Sequence, residues 1–111
     1  MNILNDHQTI CALATASGGA IGIIRVSGSD AITIVDKIFV STSGKSLENL
    51  AARSVLYGHI TNENSAIIDE TLITIFRAPH SYTGENSVEI SCHGSDFILN
   101  EVLRLLIRQG C

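Results

Sequence analysis

Between Gly19 and Gly28 the chain runs Ala20-Ile21-Gly22-Ile23-Ile24-Arg25-Val26-Ser27, a segment apolar on both faces that carries one charge inside it. A run rich in Ile and Val and bounded by glycines reads as a β-strand, and apolar residues on both faces predict cover on both sides. A strand needs partners, so the remainder must supply a sheet. Thr9 to Thr15 (TICALAT) reads as a preceding strand, separated from it by the breaker cluster Ala16-Ser17-Gly18-Gly19. The period then changes. Ala31, Ile34/Val35 and Ile38 recur at helical spacing, with Ser29 or Asp30 placed to cap the first turn.

A polar loop over Ser41 to Asn49 follows, and then two strands, Arg53 to Thr61 and Ile67 to Arg77, joined across Asn62-Glu63-Asn64 in a hairpin-like connection. A loop around Pro79 to Gly84 leads to a short strand, Ser87 to Cys92. The last element is a helix from about Asp96 to Gln109, with Ile98/Leu99, Val102 and Leu105/Leu106 as its apolar stripe and Gly110 as its stop. The order ββαβββα is not a βα alternation, which argues against a doubly wound parallel sheet. It predicts an α+β domain: a mixed or antiparallel sheet of about five strands with two helices packed on it. At 111 residues this is one domain; 45% hydrophobic but only 5% aromatic residues call for an aliphatic core.

Charge narrows the function. A net charge of −4 with scattered Lys and Arg argues against a nucleic-acid surface on this piece. No apolar run reaches the roughly 18 residues of a membrane span, and Met1 to Thr9 lacks the basic start of a signal peptide. The expected location is cytoplasmic. Cys11, Cys92 and Cys111 form no CxxC pair, and a disulfide framework is not expected. A chain ending at Cys111 directly after a helix reads as a fragment.

Several motifs fail on inspection. Gly44-Lys45-Ser46 looks like the end of a P-loop, but Phe39 stands where its first glycine is needed, and a helix rather than a strand is expected before it. Gly18-Gly19-x-x-Gly22 leads into a strand, so it offers no helix N-terminus to an anion and reads as a tight turn. Cys92 and His93 are adjacent and point to opposite faces, and with His80, His7 and His59 elsewhere no metal site emerges. A nucleophile built from His80 and Ser81 lacks workable geometry.

The segment Pro79 to Gly94 concentrates the polar chemistry. Its loop Pro79-His80-Ser81-Tyr82-Thr83-Gly84-Glu85 offers hydroxyls, a stacking ring and a glycine. Two charges sit among apolar neighbours: Arg25, and Glu89 between Val88 and Ile90. A half-buried charge left unpaired costs several kcal/mol. Either the two pair with each other or face water, or they converge on a ligand. A carboxylate matches paired N–H donors such as the amino-amide edge of a pterin or guanine, and a guanidinium matches carboxylate or carbonyl oxygens.

Thr9-Ile10-Cys11-Ala12, the strand Gly22-Ile23-Ile24-Arg25-Val26-Ser27-Gly28, and Ser81-Tyr82-Thr83-Gly84-Glu85 followed by Glu89 and His93-Gly94 closely resemble the N-terminal domain of the tRNA-modification GTPase family known as MnmE or TrmE. The resemblance runs through essentially the whole chain. It implies a fold similar to the tetrahydrofolate-binding domain of glycine-cleavage T-proteins, a homodimer through this domain, and 5-formyl-tetrahydrofolate bound near the dimer interface. The family's folate-contacting arginine falls on Arg25 and its glutamate on Glu89, with Tyr82, Thr83 and Glu85 as further candidates. A lysine contact of the family lies past Cys111.

The resemblance also implies a longer parent that binds GTP with Mg and K ions in a separate domain. With a flavin-dependent partner (MnmG, also called GidA) that parent modifies C5 of the wobble uridine of tRNA, whereas this piece alone is not expected to catalyse. Three positions depart from the usual pattern: the first loop is short at Ala16 to Ala20, Ser95 follows His93-Gly94, and Asn86 replaces a frequent aspartate. Two other readings stay open: a dimerisation module without a working folate pocket, and a stand-alone one-carbon transferase, which would need far more chain.

Overall fold

A computed structural model describes residues 8–16, 18–81 and 83–111. Its elements run β1 (Ile10–Leu13), β2 (Ile21–Ser27), α1 (Ala31–Asp36), β3 (Phe39–Ser41), a 3-10 turn (Leu47–Asn49), β4 (Val55–Thr61), β5 (Ile67–Phe76), β6 (Ser87–His93) and α2 (Asp96–Arg108). The strands form one six-stranded sheet in the order β1-β2-β6-β5-β4-β3. The α+β class and the two helices are as expected, but every pairing is antiparallel, so the sheet is not mixed, and there is one strand more. The reason is connectivity. Only α1 carries the chain across the sheet, from β2 to the far edge, and β3 to β6 then return inward as a meander until β6 meets β2.

The added strand, β3, occupies three residues directly after the helical pattern and pairs with β4 through Phe39↔Ile60 and Ser41↔Gly58. It removes one objection to the P-loop, since a strand does precede Gly44-Lys45-Ser46. The missing first glycine still stands, and only the three-residue 3-10 turn follows.

Both helices pack on one face. Ile24, Ile90 and Ile73 lie in register there, and the next row holds Val26, Val88 and Ile75, all fully buried. Leu99, Val102, Leu105 and Leu106 of α2 close over them, as their spacing predicted. The opposite face carries Ile21, Ile23, Arg25, Glu89, Ser91, Leu72, Thr74, Tyr57 and Val55, the alternate residues of the same strands. Cover on both sides of β2 is thus not found among the described residues: Ile21 is 62% exposed.

The helix ends differ in how they are satisfied. At α2, Ser95 accepts from the Ile98 amide, and Gly110 (φ +117) closes the C-terminus with Gly110 N donating to Ile107 O and Cys111 N to Leu106 O. At α1 the expected Ser29 or Asp30 cap is absent. Asp30 has φ −101 and ψ 9, away from the extended geometry of a capping residue, and its amide instead donates to Thr9 Oγ1. In the β4–β5 turn Asn62 Oδ1 accepts from the amides of Asn64 and Ala66. Glu63 reaches from this turn to Arg104 (2.8 Å) and Arg108 (3.2 Å) of α2, tying the hairpin to the helix.

Two outcomes follow from these contacts. A methyl group at Gly58 would collide with Val40 O and the Phe39 ring. Gly58→Ala should therefore destabilise the chain by about 2 kcal/mol in urea titrations, with β3 losing amide protection first. The Arg104 hydrogen bonds hold the Glu63 carboxyl at about 2, below its ordinary 4.5. A depressed folded-state value means that Glu63 supports the fold fully above its unfolded value and loses that support as pH falls toward 2. Glu63→Gln should flatten the acid limb of the stability–pH curve between about pH 5 and 2, and leave its shape at neutral pH unchanged.

Candidate functional site

The β2–β6 register sets Arg25 directly opposite Glu89 on the face away from the helices. Arg25 Nε (3.1 Å) and Nη2 (2.8 Å) both donate to Glu89 Oε2. The side chains are 35% and 17% exposed, so the pair is partly desolvated. The two charges singled out in the sequence do pair with each other, but on one carboxylate oxygen only. Glu89 Oε1 has no hydrogen bond to a described residue, and it keeps lone pairs for an N–H donor from outside.

Next along the same face, buried Ser27 meets the 78–86 loop. Its Oγ lies 2.7 Å from Thr83 Oγ1 and 3.4 Å from Glu85 Oε1. Asn86 anchors the loop at both ends, its side chain accepting from Ala78 N and its carbonyl from Gly28 N. Ser81 Oγ donates to Glu85 O across the tip, where Gly84 takes φ +79. Thr83 and Glu85 are therefore brought to β2, as their candidacy requires. Tyr82 lies outside the described residues. A cavity of about 260 Å3 opens beside this cluster, with Ile10, Ala12 and Leu13 as apolar lining and Arg25, Ser27 and Thr83 as polar lining.

One polar pair escaped the sequence reading. Asp69, 7% exposed, accepts from His93 N (2.9 Å) and lies 2.7 Å from His93 Nδ1. Its signal was present: Asp69 has the strand parity of Ile73 and Ile75, and a carboxylate on the covered side must find donors. The His93 ring is outward, 70% exposed. Burial, and secondarily the Asp69 charge, push the Cys92 thiol up to about 12, which makes it an inert core group. Among the described residues no group of three His, Cys, Asp or Glu could hold a metal ion, and no helix is long and apolar enough to cross a membrane.

Comparison with known proteins gives a consistent result. Residues 9–111 match the family described as "GTP-binding protein TrmE N-terminus". Among similar curated proteins, "tRNA modification GTPase MnmE" of Bacteroides fragilis is 55% identical over 107 residues, covering 96% of this chain and 23% of that protein. The protein of the same name from Bacteroides thetaiotaomicron is 53% identical over 107 residues, 96% of this chain and 23% of its own. The Streptococcus thermophilus protein, also so named, is 48% identical over 111 residues, 99% of this chain and 24% of its own. The chain thus spans about a quarter of the length of these relatives.

If the Arg25–Glu89 pair is a poised site and not a structural lock, its coupling should be small. A double-mutant cycle through Arg25→Ala and Glu89→Ala should give about 0.5–1 kcal/mol by urea denaturation, the range of partly exposed pairs. A coupling above about 2 kcal/mol would make the pair a determinant of the fold.

Proposed function

The chain belongs to the family of the GTP-binding protein TrmE N-terminus, and from that premise we propose that it is a folate-binding, dimer-forming domain of a tRNA-modifying GTPase. The observation that carries the folate reading is the half-used carboxylate of Glu89. A pterin presents adjacent N–H donors from its amino and amide groups. Glu89 Oε1 is hydrogen-bonded to no described residue, and Glu89 pairs with Arg25, which lines the 260 Å3 cavity, so Oε1 is a matching acceptor. Arg25 orients Glu89 through two donors on one carboxylate oxygen, and a guanidinium is of the type that matches a ligand's carbonyl or carboxylate oxygens. Ser27, Thr83 and Glu85 supply the polar rim, while Ile10, Ala12 and Leu13 take the ring faces. The ligand is 5-formyl-tetrahydrofolate, and a second copy of the chain covers the exposed side of the sheet.

The remaining steps belong to the longer parent. It binds and hydrolyses GTP with Mg and K ions in another domain, and acts in the cytoplasm with a flavin-dependent partner on C5 of the wobble uridine of tRNA. This domain positions the folate and the dimer, and by itself catalyses nothing. A second reading, a dimerisation module without a folate pocket, draws support from the same ion pair, since Arg25 and Glu89 already bond to each other.

Calorimetric titration of the chain with 5-formyl-tetrahydrofolate separates the two. The folate reading expects saturable binding, weakened at least about tenfold (~1.4 kcal/mol) in Arg25→Ala and in Glu89→Ala. Equal affinity in the variants would remove these residues from the site. A dimer by sedimentation that takes up no folate would support the second reading.

A further inference from the structure

A cavity of about 480 Å3 is lined by Arg53, Phe76, Pro79, His80 and Ser81, and among the described residues it shares none with the cavity beside Arg25. Arg53 is the feature that stands out. It occupies the third position of a turn closed by Ser54 N donating to Ala51 O, and has φ +64. Its amide donates to Ile75 O (2.7 Å), and Ile75 N returns a bond to Ser54 O (3.0 Å), so the sheet holds this backbone in place. Glycine or asparagine takes the left-handed region with little penalty, whereas a residue such as arginine is disfavoured there. The backbone therefore gains nothing from arginine at this turn, and the reason for it lies in the side chain.

That side chain is exposed and makes no hydrogen bond or ion pair with any described residue. Arg77, next to Phe76 in the chain, is different: its guanidinium is spent on the carbonyls of Leu50 and Glu48. Among the described residues no carboxylate lines the cavity, in a chain whose net charge is −4. The Ser81 hydroxyl is committed to Glu85 O, which leaves Arg53 and the His80 imidazole as the side-chain donors. The half-buried Phe76 provides an apolar wall.

We infer that this cavity is a second binding site, specific for an oxyanion: the Arg53 guanidinium grips a carboxylate or a phosphate at two points, His80 adds a donor, and Phe76 packs against the carbon side of the ligand. The site stands on its own residues, independent of the Arg25–Glu89 reading.

The test follows the Arg53 Nε–H and His80 resonances of the labelled chain by NMR, titrated separately with sodium phosphate and with glutarate at fixed ionic strength. The expected result is a saturable shift at both residues with a dissociation constant in the millimolar range or tighter. Saturation by phosphate alone assigns a phosphate ester, saturation by glutarate alone a carboxylate, and saturation by both an oxyanion of either kind. Arg53→Gly should keep or raise the melting temperature, because it relieves the left-handed backbone, while weakening binding at least about tenfold. Arg53→Lys, which retains charge but not the planar fork, should fall between. The proposal is overturned if neither anion saturates the parent, if Arg53→Gly binds as tightly as the parent, or if Arg53→Gly lowers the melting temperature.

Discussion

The antiparallel pairing of β2 with β6 is the joint on which this molecule depends. It connects the N-terminal hairpin to a meander that begins at the opposite edge of the sheet, across a sequence separation of 64 residues at Arg25 and Glu89. Its register is enforced from both faces. On the covered side Ile24 meets Ile90 and Val26 meets Val88, all without solvent contact. On the other side Arg25 meets Glu89. A slip of one residue would turn every side chain of β2 over and drive Arg25 beneath the helices, where an unpaired guanidinium costs several kcal/mol. The charges thus act against misregister as well as in the site. Of the candidate folate site, Arg25, Ser27 and Glu89 are in this joint, and Thr83 and Glu85 meet it at Ser27.

That dependence explains what could be read from the sequence. The two helices, the five strands read, the α2 stripe and the Gly110 stop are local patterns of period and turn chemistry, and they stand in the order expected, with β3 inserted after α1. Arg25 and Glu89 were legible as charges out of place for the same reason. Their direct contact was not, because it requires the register of two strands far apart in the chain. β3 was missed because three residues at an edge are too few to show alternation, and Phe39 follows on from the helical pattern before it. The Arg53 turn left no trace, since a positive φ at an arginine has no compositional signature. Asp69 was readable by parity alone, once Ile73 and Ile75 were placed inward.

The uncovered face carries the remaining physical question. An antiparallel sheet can leave one face to water, and such a face is normally polar. Here Ile10, Ile21, Val55, Tyr57 and Leu72 are each between 45% and 62% exposed, spread over four of the six strands. A grouping of this kind marks a surface made to be covered. It also accounts for the sequence of β2, which reads as apolar on both sides although the described residues cover only one.

The Arg25–Glu89 pair lies within that face, which links cover to ligand. If a second copy covers the sheet, as proposed above, the pair passes from a partly aqueous setting into one of lower dielectric. Its mutual attraction then grows, but so does the cost of leaving Glu89 Oε1 without a donor. A ligand that donates to Oε1 removes that cost in the covered state, whereas in the open state water already meets part of it. Binding and covering therefore favour each other, and by thermodynamic reciprocity each strengthens the other by the same factor. A carboxylate with one oxygen committed and one held in reserve is suited to this coupling, because the committed oxygen keeps Glu89 oriented whether or not the ligand is present.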